Sequence, residues 1–153
     1  MTIRLNPFEA APAPMKAWLD FSLGLTKDGL EPSLMELVKI RASQINGCAN
    51  CLQMHTREAR AKGEQEERIY LLDAWRESSL YSARERAALH WTDALTLVSI
   101  ERAPDEAFEE LRAHFNAEEQ VRLTLLIATI NGWNRLAIGF GLEQPARKRA
   151  EAA

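Results

Sequence analysis

The chain is 153 residues long, 46% hydrophobic and 27% charged, with a formal net charge of -3; this is the composition of one globular domain able to bury about two-thirds of its unfolded surface. Acidic and basic residues are interspersed, so the sequence has neither the basic patch of a nucleic-acid binder nor the polybasic helix of a membrane-surface protein. Its longest strongly apolar stretch, residues 123–130, is too short to span a bilayer, and Met1-Thr2-Ile3-Arg4 lacks the apolar core of a secretory signal, so a cytoplasmic protein with no nucleic-acid or membrane partner is expected.

The pattern is helical throughout, and an all-α domain of six to seven helices is predicted. Residues 1–14 hold Pro7, Pro12 and Pro14 and read as an extended arm. A helix over about residues 15–23 carries Trp18, Leu19 and Ser22 on one side, and Gly24 and Gly29 follow it. The next opens at Ser33 with Glu36 three residues on, the spacing of a capping box. Leu34, Leu37, Val38, Ile40 and Ile45 form its apolar face, and Asn46-Gly47 ends it. A helix over about 48–62 follows at once, closed by Gly63, and a short one covers about 65–75. Ser82 with Glu85 starts a helix to about Leu97. Pro104 suits the first position of another that ends near Phe115. A last helix runs from about 117 to 140, which places the domain at 15–142 and a charged tail at 143–153. Ile45-Asn46-Gly47-Cys48 is echoed by Ile130-Asn131-Gly132-Trp133.

The chemistry concentrates at the start of the fourth of these segments. Both cysteines, Cys48 and Cys51, lie there with His55, one of three histidines. At about 100° per residue these three positions share a helix sector of roughly 60°. Cys48 follows Gly47 at a helix N-terminus, where free N–H groups favour a thiolate. Cys51 lies one turn before His55, which can take its proton. Either thiol could therefore be the activated one. The other, three residues away, can attack its oxidised form and leave an intrahelical disulfide. A loop this short does little to staple a fold, so the pair reads as redox-active rather than structural.

Other readings of the pair are weaker. A zinc site needs about four ligands, and His90 and His114 lie far away in sequence, so no metal is expected. Cys48 and Cys51 could instead be small buried packing residues, but the in-phase histidine argues against it. His90, His114 and the tryptophans read as ordinary surface or core residues. Arg84-Glu85-Arg86 reads as a solvated face, and no glycine-rich nucleotide loop is present.

The stretch Glu36-Leu-Val-Lys-Ile-Arg-Ala-Ser-Gln-Ile-Asn-Gly-Cys48-Ala-Asn-Cys51-Leu-Gln-Met-His55-Thr56, with Ala59 and Gly63 after it, resembles the core of the AhpD-like alkylhydroperoxidases of the carboxymuconolactone decarboxylase superfamily. Ala74-Trp75-Arg76-Glu77, the segment 81–89 and Trp91-Thr92 are similar to that family too. The resemblance implies an AhpD-like helical fold with the CxxC at the start of a central helix, in a homo-oligomer, trimeric or hexameric. It implies that Cys51 attacks a peroxide, that Cys48 resolves it, and that Glu36 and His55 form a proton relay, directly or through water. The implied substrates are hydrogen peroxide or alkyl hydroperoxides, reduced with a dithiol electron donor and without metal, flavin or haem.

One position departs from the pattern. The best-studied members of that family carry a histidine immediately before the second cysteine, where this chain has Asn50, an amide that orients but does not act as a base near neutrality. Two alternatives remain: a carboxymuconolactone-decarboxylase-like enzyme, against which the dithiol argues, and a non-enzymatic thiol redox sensor.

Overall fold

The computed structural model describes residues 3–27 and 29–142, so the charged tail at 143–153 lies outside the described residues. Among those described there are nine α-helices and no strand: α1 Pro7–Ala10, α2 Pro12–Leu25, α3 Pro32–Asn46, α4 Ala49–Ala61, α5 Glu66–Tyr70, α6 Ala83–Thr96, α7 Val98–Glu101, α8 Asp105–His114 and α9 Ala117–Phe140, with a 3-10 turn Leu71–Ala74 after α5. The all-α expectation holds. The excess comes from the short α1 and α7, while α5 with its 3-10 turn is the short helix expected over about 65–75.

Two local expectations are corrected. Residues 7–10 and 12–14 are helical rather than extended, with a bend at Ala11, because Asn6 caps the Phe8 amide through its side chain and Pro7 and Pro12 occupy first-turn positions, where no amide is needed. The Ser33–Glu36 pair is not a capping box. α3 starts one residue earlier at Pro32, its N-cap Glu31 makes no side-chain cap bond, and the Glu36 carboxylate turns inward. By contrast Ser82–Glu85 and Asn116–Glu119 each close both bonds of a capping box, at the starts of α6 and α9. Pro104 sits one position before its expected place, as the N-cap of α8.

The helix in the middle is α3, which packs on α4, α6, α9 and the 3-10 turn; the cysteines lie on its neighbour α4. Leu37, Val38 and Ile40 are fully buried, and each contributes about 1.5–3 kcal/mol relative to exposure. One side of α3 joins a cluster with Ala88, Leu111, Leu123 and Ile127, and another joins Leu72, Trp75 and Leu89. A buried ion pair pins the second side. Arg41 Nε donates to Asp93 Oδ1 at 2.7 Å, Arg41 also meets Asp73 at 2.5 Å, and Trp75 Nε1 donates to Asp93 at 3.2 Å.

The exit of α3 sets the entry of α4. Gly47 adopts φ 67°, a left-handed conformation that costs glycine little, and the amides of Gly47 and Cys48 return to the carbonyls of Gln44 and Ser43. Asn46 bolts this corner to α9, its Nδ2 donating to Asn131 Oδ1 at 2.9 Å and Asn134 Oδ1 at 2.8 Å. The two halves of the sequence echo thus meet, but Asn131-Gly132 lies inside α9 and ends nothing. Among the described residues no helix is long and apolar enough to cross a membrane.

Candidate active site

Cys48 is the N-cap of α4 and Cys51 lies in its first turn. Their Cα atoms are 5.3 Å apart and their sulfurs are joined as a disulfide. The Cys51 amide donates to Cys48 Sγ at 3.3 Å, so the N-cap sulfur receives one of the free N–H groups of the helix start. Both cysteines are almost fully buried. They differ in what they face. Cys51 lines a cavity of about 550 Å³, and Cys48 does not.

This cavity lies between α2, α4 and α9. Leu19, Leu23, Met54, Leu126, Ile130 and Trp133 provide an apolar wall, and Glu36, Lys39, His55, Glu58 and Lys62 gather at a polar end. Asn50 lines the same space.

Glu36 reaches the polar end from α3. Its Oε2 lies 3.1 Å from His55 Nδ1, while Oε1 accepts from Lys39 Nζ at 2.8 Å and from Lys62 Nζ at 2.6 Å. Burial pushes this carboxyl upward, but the bonds from His55, Lys39 and Lys62 and the Lys39 charge outweigh it and hold it down at about 2. Glu58 Oε2 also lies 3.4 Å from His55 Nδ1. The bond to His55 lowers the Glu58 carboxyl, against the opposing effect of burial.

Two carboxylates beside Nδ1 demand a hydrogen there, since an ionised carboxylate only accepts. When the ring is neutral, its lone pair therefore lies on Nε2. Such a ring, one turn from Cys51 and facing the same cavity, can take a proton from a thiol or return one to a leaving oxygen.

Glu36, His55 and Glu58 bring ligand atoms within 4.8 Å of one another, a geometry that could suit a cation. The Lys39 and Lys62 ammonium groups already fill the Oε1 side of Glu36 with charge of a metal's own sign, so the group is an ion-pair cluster rather than a metal site.

The structure therefore gathers all four residues singled out in the sequence, Glu36, Cys48, Cys51 and His55, and adds Lys39, Glu58 and Lys62. A signal for two of these was present. Positions 48, 51, 55, 58 and 62 continue one stripe at spacings of three and four, within a helix sector of about 80°.

The model of the carboxymuconolactone decarboxylase family matches residues 12–94, more than half of the chain. The chain belongs to this family. Within it, YdfG of Bacillus subtilis, described only as uncharacterized, is 43% identical over 141 residues, 92% of this chain and 96% of that protein. A crystal structure of ATU0492 from Agrobacterium tumefaciens, a protein of unknown function provisionally assigned as the antioxidant defence protein AhpD, has a TM-score of 0.92 at 45% identity. The match covers 95% of this chain and 100% of that one. An uncharacterized peroxidase-related protein from Ralstonia eutropha JMP134, described as an alkylhydroperoxidase AhpD core, has a TM-score of 0.79 at 22% identity over 90% and 74% of the two chains, which speaks to fold alone. The carboxymuconolactone decarboxylase family member described here thus has the AhpD-like helical fold and carries a CxxC pair at its cavity.

Proposed function

We propose that this chain is a thiol-dependent peroxidase that reduces hydrogen peroxide or alkyl hydroperoxides, with Cys51 as the attacking residue and Cys48 as the resolving one. The observation that carries the reading is the asymmetry of the pair: of the two cysteines, Cys51 is the one that faces the cavity, beside His55. The apolar wall suits the organic part of an alkyl hydroperoxide.

His55 Nε2 takes the Cys51 proton, and the thiolate attacks the terminal oxygen of ROOH. The S–O bond forms, the O–O bond breaks, and RO⁻ leaves with the proton from the imidazolium as ROH. Glu36 and Glu58 beside Nδ1 stabilise that imidazolium. The Cys48 thiol then displaces hydroxide from the Cys51 sulfenic acid, giving the disulfide and water. A dithiol donor reduces the disulfide by attack on Cys51 Sγ from the cavity, and Cys48 leaves as a thiolate at the helix N-cap. The dithiol supplies both electrons, so the cycle draws on no metal or bound organic group. Assembly into a homo-oligomer, trimeric or hexameric, belongs to the same reading and is supported by the exposed apolar residues Phe21, Leu23 and Ile138.

The test begins with the reduced protein and one equivalent of cumene hydroperoxide. Loss of both thiols in the wild type and gain of one oxygen mass in Cys48→Ser are expected. Thiols that survive the peroxide, or undiminished turnover in Cys51→Ser, would overturn the proposal.

A further inference from the structure

The Glu36 carboxylate is loaded unevenly. A carboxylate offers about four acceptor positions, two on each oxygen. Both on Oε1 are used, by Lys39 at 2.8 Å and Lys62 at 2.6 Å, and Oε2 meets His55 Nδ1 at 3.1 Å. Three of the four positions are thus taken by N–H donors, and both cations sit on Oε1. The two lysines come from different elements. Lys39 is one turn along α3 and almost buried, and Lys62 is the C-cap of α4 and half exposed.

Among the described residues, the ionisable groups at this position come from α3 and α4, together with the Cys51 thiol once reduced. α4 contributes His55, Glu58 and Lys62, and α3 contributes Lys39. The cavity walls from α2 and α9 present Leu19, Ser22 and Leu23, and Thr129, Ile130 and Trp133, none of which titrates near neutrality. On the far side of α3, Asp93 of α6 and Asp73 of the 3-10 turn are taken by Arg41. With His55 neutral, Glu36, Glu58, Lys39 and Lys62 cancel in charge.

We propose that Lys39 and Lys62 are positioning residues for the peroxide reaction: together they occupy Oε1 of Glu36, hold it as a permanent anion whose Oε2 takes the Nδ1 hydrogen of His55, and so leave Nε2 as the bare nitrogen that receives the Cys51 proton. Glu36 then carries no proton in the cycle. It is an electrostatic anchor for the imidazole, and the relay implied by the family resemblance ends at His55. This inference rests on the peroxidase reading for its consequence in catalysis, but the lysine clamp itself is present with Cys48 and Cys51 joined and is measured in the reduced protein without turnover.

The experiment follows the Glu36 side-chain carboxyl and the His55 ring nitrogens by NMR against pH in the reduced protein, for wild type, the Lys39→Met/Lys62→Met double variant and the Lys39→Arg/Lys62→Arg double variant. In parallel, the rate of disulfide formation with cumene hydroperoxide is recorded over the same pH range. In the wild type, Glu36 is expected to stay ionised from about pH 4 to about pH 9, with Nδ1 protonated throughout. In the methionine double variant, burial without its cations raises Glu36 into the titrating range. Nδ1-protonated neutral imidazole is lost as pH falls through that step, and the rate falls about tenfold per pH unit below it. The arginine pair restores the wild-type profile. A folded methionine variant with an unchanged Glu36 titration, tautomer and pH profile overturns the proposal. Should the double variant fail to fold, Lys62→Met alone carries the same readouts, because its side chain is half exposed, and an unshifted Glu36 there overturns it equally. Wild-type thiols inert to hydroperoxide would sink the peroxidase reading, while the NMR titration would still decide the clamp.

Discussion

His55 Nδ1 stands 3.1 Å from Glu36 Oε2, across the contact between α4 and α3. Nineteen residues separate the two in sequence, and the tight corner at Gly47 folds one helix back on the other to bring them together. An imidazolium that forms at this place is met at once by a carboxylate, in a setting shielded from water. His55→Asn removes the base, so the rate of Cys51 oxidation by peroxide should fall about 100-fold or more at neutral pH. Glu36→Gln keeps an acceptor for Nδ1–H but loses the charge, and a smaller fall of about tenfold is expected. Stopped-flow measurement of the reduced variants against peroxide concentration checks both. Equal rates in the wild type and His55→Asn would remove His55 from the chemistry.

The same carboxylate should mark the acid stability of the fold. Its value is held at about 2 in the folded chain against an ordinary 4.5. A depressed folded value means that the stabilisation is present above the unfolded value and is lost as pH falls through the folded one. The window is therefore about pH 5 down to about pH 2, and the size is about 3 kcal/mol. Glu58 adds in the same direction. Denaturant unfolding of the wild type should weaken steeply across this window, and Glu36→Gln should flatten the dependence. A variant with the wild-type slope would show that the ion-pair cluster contributes nothing to it.

The stripe Cys48, Cys51 and His55 was legible in sequence because a single helix fixes its geometry: spacings of three and four align side chains whatever packs around them. The capping box of α6 was marked by equally local chemistry. The pairing of Glu36 with Lys39 and Lys62 was not, since lysine normally reads as solvent-facing and its burial depends on a tertiary partner. Glu36 itself invited a local reading, the Ser33 capping box, that Pro32 displaced by taking the first turn of α3. The exit of α7 was hidden for a different reason. Arg102 and Ala103 adopt φ 56° and 46°, conformations that neither residue type announces.

The asymmetry of the cysteine pair should be visible in thiol labelling. After reduction, a bulky alkylating reagent can reach Cys51 through the cavity, whereas Cys48 Sγ lies off it beside the Cys51 amide. Peptide mapping at low reagent excess should find Cys51 modified first. Filling the cavity by Ala137→Phe should slow that labelling, because Ala137 lines the space and packs in the same cluster as both cysteines. Preferential labelling of Cys48 would reverse the assignment of attacking and resolving residues.

Oligomer formation has a simple readout. Leu19, Phe21, Leu23 and Ile138 are exposed large apolar side chains on α2 and α9, around a cavity whose wall includes Leu19 and Leu23. Light scattering is expected to give a three- or six-fold multiple of the 17.3 kDa chain mass, and Phe21→Lys to shift it toward the monomer. A wild-type mass of one chain would end the oligomer reading without touching the thiol chemistry.

Gly132 offers a test of how the cavity wall is built. It lies inside α9, where alanine would normally gain about 1 kcal/mol in helix propensity. Here a Cβ would stand 2.6 Å from Trp18 Cζ2 and 3.2 Å from Cη2, a collision with a rigid ring rather than with the end of a flexible chain. Trp18 packs tilted against Trp133, with ring centroids 6.0 Å apart, and Trp133 lines the cavity and donates its Nε1 to Ser22 Oγ at 2.9 Å. α2 must therefore move away from α9 to admit the methyl group. Gly132→Ala should destabilise the protein by about 1–3 kcal/mol despite the propensity gain, and it should speed thiol labelling by loosening the α2 side of the cavity. Thermal unfolding and the labelling rate of the reduced variant measure the two effects. A stabilised Gly132→Ala with unchanged labelling would mean that Trp18 yields without moving α2, and that the approach of α2 to α9 does not control access to Cys51.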